Sequence, residues 1–149
     1  MANKMILLTV EQIKEIAEQL DCGFSCFINK KTREIISLYG DEDDFFEEDD
    51  DSWADDRKKI EKKPGDYLEI EKMESWDSFK IMEGFADSVD SIKLRRELIN
   101  VLNQRKPFSK FKWVIDNSGE YREKWFAFKA ERIQEWVKEQ VDMYNRSVD

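Results

Sequence analysis

The sequence predicts an α+β fold: an N-terminal helix, a three-stranded antiparallel meander, and a C-terminal half of four helices. Three observations carry this. Apolar residues recur at helical spacing near the start and through the whole second half. Between them, residues 24–39 form two β-rich runs around a polar turn. The length, 149 residues, suits one domain spanning 1–149, and 13% aromatic residues is far from the composition of a disordered chain.

Thr9-Val10-Glu11-Gln12 reads as a capping box, with Thr9 at the N-cap and Gln12 three residues on. Leu8 and Ile13 are placed to form the flanking hydrophobic staple. Val10, Ile13, Ile16, Ala17 and Leu20 then make the apolar stripe of the first helix, and Gly23 is its stop. Phe24, Cys26 and Ile28 alternate with Ser25 and Phe27. Asn29 to Arg33 is a turn, and Glu34 to Tyr39 is the returning strand of a hairpin.

From Asp41 to Asp56 the composition changes abruptly. Eleven acids and no base give −11 in sixteen residues, whereas the whole chain is −9, so the remainder is slightly basic. Runs of like charge are usually solvated. Residues 41–56 are therefore expected to be an acidic, mobile insertion between strands, tacked down by Phe45, Phe46 and Trp53. Arg57 to Lys63 suggests a short basic helix that Pro64-Gly65 breaks. Tyr67 to Ile70 is the third strand.

The remainder reads as helix. Trp76, Phe79, Met82, Phe85, Ala86 and Val89 form one stripe, with Ser75 as N-cap. Leu94, Leu98, Val101 and Leu102 form the next. Pro107 suits the first turn of a third helix, whose stripe is Phe108, Phe111, Val114 and Ile115. The last and longest helix runs from about Glu120 to Tyr144.

Composition narrows the chemistry. Histidine is absent, which removes imidazole acid–base catalysis and every histidine-ligated metal site. The cysteines, Cys22 and Cys26, fall in a stretch read as strand, where their separation is about 13 Å. A disulfide needs Cα atoms within about 7 Å, so they are expected to be unpaired core residues. No P-loop, dinucleotide fingerprint or nucleophile elbow is present. Neither a catalytic residue, a metal ligand nor a cofactor is assigned. No apolar run approaches the ~20 residues of a membrane span, and Met5-Ile6-Leu7-Leu8 is too short for a signal peptide. The expected setting is cytoplasmic, with no membrane partner.

One cluster stands out. Lys93, Arg95, Arg96, Arg105, Lys106, Lys110 and Lys112 are seven bases between residues 91 and 112, with Glu97 the lone acid, a local charge of +6. With Leu94 and Leu98 inward, Lys93, Arg96 and Asn100 point outward. With Phe108, Phe111 and Ile115 inward, Lys110 and Trp113 point outward. The candidate binding residues are therefore Lys93, Arg96, Arg105, Lys106, Lys110, Lys112 and Trp113. An exposed tryptophan among bases suits a nucleobase or a phosphate-bearing ligand. Against that, Trp113 packs under a neighbouring helix and the bases are a solvated face. The second reading is favoured, because the chain is not basic overall. Glu83 and Asp87, at i and i+4, could share a face for acid–base or metal work, but such pairs are common on exposed helices.

Three stretches resemble the bacterial uncharacterised protein family 0158. Phe79-Lys80-Ile81-Met82-Glu83-Gly84-Phe85-Ala86 is similar to its F-x-x-M-E-x-F pattern. Leu94 to Leu102, followed by Pro107-Phe108-Ser109-Lys110-Phe111-Lys112, resembles its leucine-rich helix and F-x-x-F-K element. Trp125-Phe126-Ala127-Phe128-Lys129-Ala130-Glu131-Arg132 resembles its W-x-x-F-x-x-E-R helix. Where glycines are expected before the F-x-x-F-K element, this chain has Asn103-Gln104-Arg105-Lys106-Pro107. The resemblance implies a domain and its extent, not an activity. It marks Glu83, Lys112, Glu131 and Arg132 as charged motif positions, expected to form an ion-pair network between helices.

The functional expectation is a non-enzymatic binding or regulatory module that acts on another protein by direct contact, with the acidic arm or the basic helices as the interface. Two alternatives stay open: nucleic-acid or phospho-ligand binding through residues 93–112, and a carboxylate-based, metal-dependent enzyme.

Overall fold

Apolar periodicity divides the chain into helices that bury one stripe and strands that must cover both faces. The computed structural model describes residues 5–39 and 51–148. It contains α1 (Val10–Asp21), β1 (Phe24–Asn29), β2 (Ile35–Tyr39), α2 (Asp51–Lys62), β3 (Tyr67–Ile70), α3 (Ser75–Ser88), α4 (Ile92–Leu102), α5 (Pro107–Asp116) and α6 (Tyr121–Val148). The α+β class stands, with the N-terminal helix, the antiparallel sheet and the four C-terminal helices in the expected order. Two compact units separate: Met1–Lys72 with Ile133–Asp149, and Met73–Arg132.

In the first unit α1 starts at the capping box. The Gln12 amide N–H donates to Thr9 Oγ1 (3.1 Å), and the Thr9 N–H donates to Gln12 Oε1 (2.9 Å). Ile16, Ala17 and Leu20 are buried, whereas Val10 is exposed and is not part of the stripe. The helix runs on to Asp21, so Cys22 is its exposed C-cap and not a strand residue. Cys26 alone faces the core. Burial pushes its thiol pKa up, against a smaller lowering by the hydrogen bond with Ser37.

The sheet is antiparallel throughout, with the order β2-β1-β3. A meander would place β2 in the middle; here β1 is central. The long connection after β2 carries the chain back to the free edge of β1, which a tight turn could not do. Cys26 pairs with Ser37 and Ile70, and Phe27 pairs with Ile36. Cys26, Ile28 and Ile70 therefore share one face, and Ile36 and Leu38 the other. All five are buried, so both faces are covered. The Cys26 thiol lies 3.9 Å from the Ile16 carbonyl, which puts α1 over the first face.

Two side-chain amides on α6 complete backbone pairing that no strand supplies. Asn145 accepts from the Ile6 N–H (2.8 Å) and donates to the Ile6 carbonyl (2.9 Å). Gln140 grips Glu71 in the same way, at 3.0 Å each, and Trp136 Nε1 donates to the Glu71 carbonyl at 2.7 Å. Helix α2 begins at Asp51, six residues earlier than the basic pattern suggested, and a short 3-10 turn, Pro64–Asp66, follows it. Asp51–Asp56, the end of the acidic run, is thus helical; residues 41–50 of that expected insertion lie outside the described residues.

The second unit is all helix. Its core joins Met82, Phe85 and Ala86 of α3, Leu94, Leu98 and Leu102 of α4, Phe111, Val114 and Ile115 of α5, and Trp125 of α6. Trp125 meets Phe111 edge-on at 4.9 Å and Phe85 at 5.3 Å, a geometry worth about 0.5–1.5 kcal/mol per pair beyond area burial. The N-cap of α3 is Glu74, not Ser75: its N–H donates to Asp77 Oδ2 (3.1 Å), a carboxylate version of the capping box. Trp76, expected in the α3 stripe, is exposed beneath the Lys80 ammonium, 4.6 Å from its ring.

Candidate functional site

Helices α4 and α5 pack as an antiparallel hairpin, and its turn depends on one unusual residue. Lys106 sits in the left-handed region (φ 53°), which reverses the chain before Pro107 opens α5. Ser91 caps α4, accepting from the Leu94 N–H at 3.2 Å. Once Leu94, Leu98 and Leu102 are turned inward, residues Lys93, Glu97 and Asn100 fall on the α4 flank nearest α5. Phe111, Val114 and Ile115 likewise leave Lys110, Trp113 and Asn117 on the α5 flank nearest α4.

Between these flanks lie two cavities of about 280 Å³ each, both open to solvent. They share Glu97, Trp113 and Val114. Lys93, Leu94, Asn117 and Tyr121 help line one; Asn100, Val101 and Lys110 line the other. Trp113 is therefore a ridge dividing a groove. Its indole is 68% exposed, so it does not pack under a neighbouring helix. The sequence expectation fails here because burial depends on what covers a face, which a helical wheel does not contain.

The other candidates separate. Lys93 and Lys110 line the groove, and Lys110 Nζ also donates to Gln104 Oε1 at 3.0 Å. Arg96, Arg105, Lys106 and Lys112 are exposed, but none lines either cavity. Arg95 turns inward, with Nε and Nη2 donating to the Val89 carbonyl at 3.1 and 2.8 Å. Among the motif positions, Glu83 lines a separate cavity of about 140 Å³ with Asp87, Ile99 and Asn103. Glu131 and Arg132 pair at 3.7 Å, and the Arg132 guanidinium lies 4.5 Å from the centre of the Phe128 ring.

Sequence reasoning missed Glu97, Asn117 and Tyr121. The first two were within reach, since Glu97 and Asn117 continue the flanks of Lys93 and Trp113 at i+4. Tyr121 was not, because it arrives from another helix. Its hydroxyl donates to the Asp90 carboxylate. That bond holds Asp90 below the usual carboxylate range and, with some desolvation, pushes the Tyr121 phenol up.

Among the described residues, no group of three or more Asp, Glu or Cys stands where it could hold a metal ion. No helix among them is long and apolar enough to cross a membrane.

Residues 2–147 match the Uncharacterised protein family (UPF0158). The UPF0158 protein PA5073 of Pseudomonas aeruginosa is 30% identical over 78 residues, which make up 52% of this chain and 51% of that protein. The aligned stretch thus spans about half the length of that curated relative. No solved structure matches the chain.

Proposed function

The chain belongs to the uncharacterised protein family UPF0158, and from that premise we propose that it is a non-enzymatic binding or regulatory module acting by protein–protein contact. One observation supports this above all: the exposed Trp113 ridge between two open cavities. Tryptophan is enriched among the few interface residues that carry most of the binding energy, and such residues work by filling or flanking pockets. A cytoplasmic setting goes with this reading, because two unpaired cysteines, one of them exposed, suit a reducing compartment.

The alternative of nucleic-acid or phospho-ligand binding draws on the same tryptophan. It is weaker because Glu97 lines both cavities and would face any phosphate there. The carboxylate-enzyme alternative rests on Glu83 and Asp87, which line one small cavity without a third acid among its lining residues.

Selection of a displayed random-peptide library on the full chain tests the proposal. Enriched peptides are expected to bind the wild type and the Trp76→Ala variant alike, and to lose the Trp113→Ala variant. If no peptide is enriched, or if the enriched ones ignore Trp113→Ala, the proposal fails.

A further inference from the structure

We infer that the α4–α5 groove receives an acidic protein segment carrying two apolar side chains, one on each side of the Trp113 indole. The inference rests on the protein-contact reading and names the chemistry of the partner.

Size comes first. Small-molecule sites usually enclose about 300–1,000 Å³ and bury most of their ligand. Each cavity here is about 280 Å³ and open, and the two are divided by a ring. Neither alone encloses a cofactor-sized molecule. Each accommodates one side chain, and a segment crossing the ridge places successive side chains on either side. The floor suits apolar groups: Leu94 and Val114 in one cavity, Val101 and Val114 in the other.

Charge selects the segment. Lys93 lines one cavity and Lys110 the other, so each cavity has a lysine in its wall. Arg96, Arg105, Lys106 and Lys112 are exposed on the same two helices and their connecting turn. Residues 91–112 carry +6. This field attracts carboxylates over roughly a Debye length, about 8–10 Å at ordinary salt, and speeds their encounter with the groove. Glu97, shared by both cavities, decides against a polyphosphate chain. A nucleic acid would bring evenly spaced phosphates past it, whereas a peptide can leave that position to a backbone N–H, which a carboxylate accepts.

The test uses the full chain at low salt and labelled peptide pools of equal length, followed by fluorescence anisotropy. The pools are acidic with apolar residues, acidic without them, neutral with apolar residues, and basic with apolar residues. Random single-stranded RNA is the fifth probe. The acidic–apolar pool is expected to bind at least about tenfold tighter than any other. Trp113→Ala should weaken it by about tenfold or more, as for an interface anchor. Lys93→Glu with Lys110→Glu should turn the preference towards the basic pool, with circular dichroism confirming the fold. If neutral or basic apolar pools bind equally well through Trp113, the acidic partner is wrong while protein contact survives. Acidic peptides binding regardless of Trp113 would overturn the straddled ridge. If RNA alone binds, or no pool does, both this inference and the proposed function fall.

Discussion

An indole left mostly in water contributes little to folding and much to whatever covers it. Trp113→Ala should therefore change unfolding free energy by no more than about 0.5 kcal/mol, as for surface sites generally. Phe111, two residues earlier and 1% exposed, should cost about 3–5 kcal/mol on truncation to alanine. Urea unfolding of the two variants checks the contrast; equal losses would mean that Trp113 is covered. The cysteines divide in the same way. Cys22 is exposed and Cys26 buried with a raised thiol pKa. A thiol reagent should modify Cys22 promptly and Cys26 only on unfolding, and two prompt equivalents would contradict the burial. The outward direction of Trp113 was legible in the sequence from the Phe111, Val114 and Ile115 stripe. Its exposure was not, because no residue of α5 records what lies above it.

Elements show where local signals end. The α1 capping box was legible because Thr9 and Gln12 carry the side chains that motif usually uses. The α3 cap was not, because Glu74 and Asp77 do the same work with two carboxylates. Strand order escaped for a different reason. The β1–β2 hairpin is local, but β3 returns after a long connection, and alternation alone does not choose between two free edges. The Asp90–Tyr121 bond, which ties the α3–α4 connection to the start of α6, makes a pH prediction at this scale. Asp90 is depressed from its ordinary 3.8, so its contribution is present above that value and lost as pH falls through the folded value. Tyr121 is raised from its ordinary 10.0, so its contribution is present below that value and lost as pH rises through the folded one. Tyr121→Phe should therefore differ most from wild type between those limits and converge with it at both extremes. A stability difference that is flat across acid, neutral and alkaline pH would contradict the bond.

For the whole molecule, the informative quantity is where charge sits rather than how much there is. The chain is −9, yet residues 41–56 alone carry −11. The opposite charge collects on α4, α5 and their turn, around a groove the sequence half revealed. Lys93, Lys110 and Trp113 were readable as outward residues. Glu97 and Asn117 lie one turn further along the same two flanks, where only the periodicity marks them. Tyr121 needed the fold, since α6 supplies it from beyond the hairpin. The division into two units was equally hidden. Helix α6 contributes its residues up to Arg132 to one unit and those from Ile133 to the other, and its apolar pattern does not break between them.

On the proposed reading, Trp113 receives a partner and exposed aromatic surface in general does not. Trp76 is the natural control, in the same unit and 66% exposed. The direct measurement is a nuclear magnetic resonance titration of the indole N–H signals with an acidic–apolar peptide, each signal assigned by Trp→Phe substitution. The Trp113 signal is expected to shift saturably while that of Trp76 stays in place. A Trp113 signal that does not move, or one that moves no more than that of Trp76, would rule out Trp113 as the docking residue.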